Sequence, residues 1–82
     1  MFKIKIATKH NADIAVQWLH AYDIPYHSNS EPGVPDTEQY YRVLDCTDRR
    51  GKERVAGIIG SAFYRLYINN TGDIIIPENK QL

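Results

Sequence analysis

One turn sequence occurs twice in this chain, and the two copies constrain its fold more than any other feature. The segments Asp48–Lys52 and Asn69–Asp73 each begin with Asp or Asn and have Gly as their fourth residue. The short first side chain can accept a hydrogen bond from the backbone two residues on, and Gly adopts the left-handed conformation that closes the turn. We therefore expect two tight turns between short elements of a compact α+β domain.

Length and composition indicate one globular domain. The 82 residues are 43% apolar and 24% charged, and we assign residues 1–77 to the domain and 78–82 to a flexible tail. The alternating start of the chain is not a signal-peptide core, and the uncharged stretch around residues 55–64 is too short to span a bilayer. We expect a soluble, cytoplasmic protein without membrane contact.

Charge is balanced overall but unevenly distributed. Residues 1–48 carry four Lys/Arg against seven Asp/Glu, whereas residues 49–82 carry six against three, which gives −3 and +3. The isoelectric point near 6.8 lacks the basic character of a nucleic-acid-binding domain. Nucleic acid is therefore disfavoured as a partner.

Hydrophobic periodicity predicts three elements in the first part of the chain. These are a half-buried strand at 2–7, a helix at 12–22 capped by Thr8 or Asn11, and a short strand at 25–28. Two prolines and a glycine then predict a loop over residues 30–36.

The second part of the chain allows two interpretations. In the first, a strand at 39–47 turns at Gly51 and returns as a strand at 52–56, Gly57 breaks the strand, and a helix covers about 58–69. In the second, the helix begins as early as Lys52, because apolar residues recur at helical spacing, although two interior glycines cost it about 1 kcal/mol each. We favour the first interpretation, with a final strand at 74–76.

Short matches in this order resemble a reduced glutaredoxin, a thioredoxin-fold protein. They are Ile6–Lys9, Trp18-Leu19, Ile24–Tyr26, Val34-Pro35 (where the family has a cis proline), the Gly51 turn, Ala56-Gly57 and Asn70–Gly72. The resemblance implies the order β-α-β-β-β-α(-β). It also implies a site for glutathione or a thiol peptide at Lys9, Val34 and Pro35.

The family's Cys-x-x-Cys motif is missing from this chain. Residues 12–15 (Ala-Asp-Ile-Ala) stand near its place, so the resemblance implies a scaffold without redox activity. If residues 52–68 form one helix, the element order fits a ferredoxin-like β-α-β-β-α-β sandwich instead.

Four cations within six residues form the strongest charge cluster. Arg49, Arg50, Lys52 and Arg54 lie on the predicted hairpin, where they form either a solvated turn or a contact surface for an anionic partner.

Tyrosine is abundant, with six in the chain. Tyr41 follows Tyr40 on a strand, so one of the two must face away from the core. Tyr64 falls opposite Phe63 on the predicted helix. Interface contact and ordinary amphipathic packing both explain Tyr41 and Tyr64.

No pattern in the chain predicts catalysis or a metal site. The three histidines, at positions 10, 20 and 27, form no local ligand pair, and the lone Cys46 is expected to be a buried, inert thiol. We therefore expect a non-enzymatic domain without a cofactor. It would bind a partner protein, as a small regulator or inhibitor of the kind bacteriophages make, and a homodimer is compatible with its size. The alternatives are the glutaredoxin-like module and a weak nucleic-acid binder.

Overall fold

A computed structural model describes residues 1–28, 31 and 33–78. Its elements, in chain order, are β1 (Phe2–Ile6), α1 (Lys9–Ala21), β2 (Tyr26–His27), β3 (Arg42–Cys46), α2 (Lys52–Gly60), β4 (Tyr67–Ile68) and β5 (Ile74–Ile76). Two helices and one five-stranded mixed sheet confirm the α+β class. Residues 79–82 of the predicted tail, and positions 30 and 32 of the predicted loop, lie outside the described residues.

The sheet has the strand order β2-β3-β1-β5-β4. The central strand β1 is antiparallel to β3 and parallel to β5, while β2 and β4 pair antiparallel with their single neighbours. β2 and β4 are therefore the two edges of the sheet.

The core lies between one face of the sheet and the two helices. Ile4 of β1 stands opposite Leu44 of β3 and Ile74 of β5, so the three side chains point to the same face. They are buried together with Leu19 of α1 and Ile59 of α2. Burial of this apolar surface is the main stabilising contribution.

The other face of the sheet carries no helix and has a largely polar surface. Lys3 of β1 forms an ion pair with Asp45 of β3. Ile75 of β5 is nevertheless buried, and in register it stands between Lys5 of β1 and Tyr67 of β4.

The two signature turns have the predicted geometry. In each, the Gly amide donates to the carbonyl of the first residue, at 3.0 Å for Gly51 and 3.1 Å for Gly72. The third residue's amide also donates to the first side chain, at 2.8 Å from Asp48 and 3.1 Å from Asn69. The glycines have φ of +87° and +84°. This prediction is confirmed.

The elements that flank the turns differ from those predicted. The predicted strand at 52–56 and helix at 58–69 are both wrong, because α2 begins directly after Gly51 and ends at Gly60. Helical spacing buries Val55 and Ile59, which outweighs the cost of Gly57 of about 1 kcal/mol. The first turn therefore leads into a helix, and the second joins the β4–β5 hairpin.

The observed order is β-α-β-β-α-β-β, so the β-α-β-β-β-α(-β) order is corrected. From β1 to β4 the observed order agrees with that of the ferredoxin-like alternative, and β5 is one further strand.

In the first part of the chain, the predicted Thr8 cap is confirmed, since the Thr8 hydroxyl accepts a hydrogen bond from the Asn11 amide at 3.2 Å. The helix begins at Lys9, one turn earlier than predicted.

Candidate interaction groove

α2 and the edge strand β4 enclose an open groove of about 500 Å³. It is lined by Ala56, Gly57, Gly60, Phe63, Tyr64, Leu66, Tyr67 and Ile68. The two glycines of α2, Gly57 and Gly60, form the floor of the groove. A Cβ added at Gly57 would meet no atom within 4 Å, so the space beside the helix backbone is open. We call this feature the α2–β4 groove.

Exposed apolar surface is concentrated at the α2–β4 groove. Tyr64 is 68% exposed, Tyr67 41% and Ile68 39%. In the described part of the chain, the other large hydrophobic side chains with comparable exposure are Met1, Tyr22 and Val34. Tyr64 and Ile68 therefore bring exposed apolar surface to the groove, which is typical of an interaction site, whereas the side chain of Tyr67 belongs to the face of the sheet that carries no helix.

The hydrogen-bonding pattern of the hairpin determines which backbone groups of β4 face outward. The Asn69 amide donates to the Asp73 carbonyl at 2.9 Å, next to the register pairs Ile68↔Ile74 and Tyr67↔Ile75. Bonded and non-bonded pairs alternate along an antiparallel ladder. Tyr67 therefore bonds to β5, whereas the N–H and C=O of Ile68 point to the other side of β4, away from β5.

An ion pair fixes the turn of this hairpin to the centre of the sheet. The Asp73 carboxylate lies 3.0 Å from the Lys5 ammonium and accepts a hydrogen bond from the Thr71 hydroxyl at 3.1 Å. The hydrogen bond from Lys5 is the largest cause that lowers the pKa of Asp73, and burial opposes it. The hairpin that forms one side of the groove is therefore held partly by charge.

We expect Asp73→Asn to lower the free energy of unfolding at pH 7 by about 1–2 kcal/mol, because Lys5 loses a charged partner. The lowered pKa means that this contribution is fully present above the unfolded-state pKa near 4 and is lost as the pH falls through the folded-state value. Urea denaturation at a series of pH values measures it. A difference from the parent protein that did not shrink in acid would contradict this account. Asp13→Asn, which removes an exposed ion pair with Lys9, should change stability much less.

The prediction that the basic cluster lies on a hairpin is wrong. The cluster lies on the tight turn before α2 and on the first helical turn of α2. Arg50 donates to the Tyr22 carbonyl at 2.9 Å. The Lys52 ammonium lies 2.9 Å from where a Cβ on Gly72 would stand, so this side chain lies against the second turn. Arg49 and Arg54 are exposed, and Arg54 precedes Gly57 by about one helical turn. Arg54 is thus the member of the cluster that α2 places nearest the groove floor.

The two candidate tyrosines have different environments. Tyr64 lines the α2–β4 groove. Tyr41 is half-buried, packs against the core and lies under the Arg42 guanidinium at 4.2 Å from the ring centroid. Tyr41 therefore has packing contacts within the chain, and its role in binding a partner stays a prediction.

Of the three proposed glutathione residues, Val34 contacts Arg42, whereas Lys9 pairs with another side chain. Lys9 pairs with Asp13 at 2.9 Å, and the Val34 carbonyl accepts from Arg42 at 2.8 Å. The Val34–Pro35 bond is trans, and both residues lie in the loop before β3. Their role in ligand binding stays a prediction.

Cys46 is buried on β3, as predicted, and its thiol lies 3.2 Å from the Pro25 carbonyl. Burial is the main cause that raises its pKa to about 11, so it is a poor nucleophile at neutral pH. Within residues 1–28, 31 and 33–78, no group of three or more His, Cys, Asp or Glu side chains is arranged for a metal ion. No helix of the described chain is both long and apolar enough to cross a bilayer.

Comparison with family models, curated proteins and solved structures gives no match. Sequence reasoning missed Tyr67, Ile68 and the glycine floor. The exposed Gly57 at the centre of an apolar helical pattern was the available signal.

Proposed function

We propose that the protein is a non-enzymatic interaction domain that binds an extended segment of a partner protein along β4. The supporting observation is the position of β4 at the edge of the sheet, beside a groove that is lined by aromatic, aliphatic and glycine residues. An added strand gains main-chain hydrogen bonds at the edge and places alternate side chains in the adjacent pocket. The outward N–H and C=O of Ile68 supply those bonds.

The neighbouring side chains suit this mode of binding. Tyr64 and Tyr67 offer rings with polar tips, which are favoured at interfaces because they bury much area with few rotatable bonds. Arg54 and the exposed Arg49 belong, like the two tyrosines, to the positively charged second part of the chain. A small regulator or inhibitor can act simply by binding a segment of its partner protein, and this requires no catalytic group.

The test uses a short capped peptide in which valine alternates with aspartate, added to the isotope-labelled protein. We expect amide shifts to concentrate at Gly57, Tyr64 and Ile68. Gly57→Ala should weaken binding slightly and Gly57→Leu by about tenfold or more, because a larger side chain fills the groove. Both variants should be at least as stable as the parent, because either residue favours a helix more than glycine does.

Sedimentation of the protein alone provides the control for self-association. A stable dimer that disappears in Gly57→Leu would show that a second copy of the chain occupies the groove, and it would contradict a separate partner. Peptide shifts confined to residues outside the groove, or unaffected by Gly57→Leu, would also contradict the proposal.

A further inference from the structure

At the other side of the sheet, β3 is longer than its outer neighbour β2. β3 covers five residues and β2 two, and the last register pair between them joins Asp45 to His27. Val43 lies two residues before Asp45, so its main-chain groups point to the same side of β3 as those of Asp45. A further strand could pair with Val43 on that side, beyond the end of β2.

A side chain occupies the Val43 amide instead. The Asp36 carboxylate accepts a hydrogen bond from the Val43 N–H at 2.6 Å. Because this N–H bonds to Asp36, it points away from the register partner of Val43 on β1. A hydrogen bond to a carboxylate is stronger than one to the neutral carbonyl of an added strand. The carboxylate therefore competes with such a strand for the Val43 amide.

The loop that carries Asp36, residues 33–41, is fastened to β3 by Arg42. The Arg42 guanidinium donates to the Val34 carbonyl at 2.8 Å and to the Tyr41 carbonyl at 2.9 Å. The Asp36 amide also donates to the Tyr41 carbonyl, at 3.0 Å. These bonds hold Asp36 against β3. Charged side chains and covering loops are both means by which proteins protect the sides of a sheet from another strand.

We propose that the Asp36 carboxylate closes the β3 side of the sheet, so that strand addition is confined to β4 and each molecule binds one partner segment. This inference rests on the proposed function, and it specifies how the binding edge is selected. In both places one residue directs its main-chain groups outward, Ile68 on β4 and Val43 on β3, and only the second is bonded to a carboxylate.

Amide hydrogen exchange of the free protein tests the closure without any peptide. We expect the Val43 amide to exchange slowly in the parent and about tenfold or more faster in Asp36→Ala, because the bond to a charged acceptor is lost. Asp36→Asn keeps a side-chain oxygen and should retain most of the protection. Glu38→Ala is the matched control, since it removes an exposed carboxylate from the same loop, and it should leave Val43 protected.

Titration with the valine–aspartate peptide then tests the selection of the edge. In the parent, amide shifts should occur at Ile68 but not at Val43, and one peptide should saturate the protein. In Asp36→Ala, a second saturable set of shifts should appear at Val43, with two peptides bound. Asp36→Asn and Glu38→Ala should behave as the parent does.

Equal exchange of the Val43 amide in the parent and in Asp36→Ala would overturn the proposal. So would a parent protein that binds peptide at Val43, or an Asp36→Ala variant that exposes the Val43 amide but binds no peptide there. Absence of shifts at Ile68 in all four proteins would refute the proposed function, whereas the exchange rates of Val43 would still decide whether Asp36 closes β3.

Discussion

Replacing Ile59 with alanine should lower the free energy of unfolding by about 2–5 kcal/mol, the largest stability effect we expect from a single truncation in α2. Ile59 is fully buried in the core between α2 and the sheet. The loss combines the transfer energy of the removed atoms with that of the cavity left behind. A domain of this size has only about 4–12 kcal/mol of total stability, so the variant should be close to unfolding at 37 °C. Urea denaturation at 25 °C measures the difference.

Ile58→Ala is the matched control, since it removes the same atoms from the adjacent position. Ile58 is only half-buried at the edge of the core, so its truncation should cost less than half as much. If the two variants were equally destabilised, or if Ile58→Ala were the worse, the orientation of α2 on the sheet would be wrong.

Proline at two adjacent positions of β4 should have different effects, mainly on stability at Tyr67 and mainly on peptide binding at Ile68. Tyr67→Pro removes the donor of a ladder bond and leaves the carbonyl of the buried Ile75 unpaired, which should cost about 2–4 kcal/mol of stability. Ile68→Pro removes an N–H that points away from β5 at the edge of the sheet, where proline is tolerated, and should change stability by about 1 kcal/mol or less. Ile68→Pro should, however, weaken binding of the valine–aspartate peptide by about tenfold, because the peptide loses a main-chain donor.

Ile68→Val provides the control for the side chain and should keep most of the affinity. The measurements are urea denaturation and the peptide titration, carried out on all three variants. Equal destabilisation by the two prolines would contradict the assignment of the outward residue. Full affinity in Ile68→Pro would contradict strand addition at β4.

The turns show what local sequence can determine here. Asp48 and Asn69 each accept the predicted hydrogen bond, and Gly51 and Gly72 each take the left-handed conformation. These interactions lie within five residues, so a sequence pattern is enough to predict them. The turn itself is compatible with either a helix or a strand on its C-terminal side. For that reason the turn pattern alone places the hairpin at Gly51, whereas the structure has it at Gly72.

Long-range pairing decides those flanking elements. The three isoleucines of β5 are buried between β1 and β4, and this burial requires Tyr67 and Ile68 to extend as a strand instead of continuing a helix. Intrinsic propensity is a weak guide where such burial is available. A single sequence does not state which strands become neighbours.

The groove residues differ in the same way, because some depend on local sequence and others on long-range strand pairing. Tyr64 is exposed and the adjacent Phe63 is buried, as the sequence pattern predicts, although both residues lie after the end of α2 and not on a helix. Tyr67 and Ile68 become candidates only through the strand order, which makes β4 an edge. The sequence pattern favours Gly57 as a break after a strand, whereas it is an exposed helical residue that opens the groove.

Amide hydrogen exchange at β4, measured with and without a saturating concentration of the valine–aspartate peptide, tests the central claim most directly. In the free protein we expect the Tyr67 amide to be protected by β5 and the Ile68 amide to exchange rapidly. With the peptide bound, the Ile68 amide should become protected while Tyr67 changes little. An Ile68 amide that is already protected in the free protein, or that stays unprotected when the peptide is bound, would contradict strand addition at this edge.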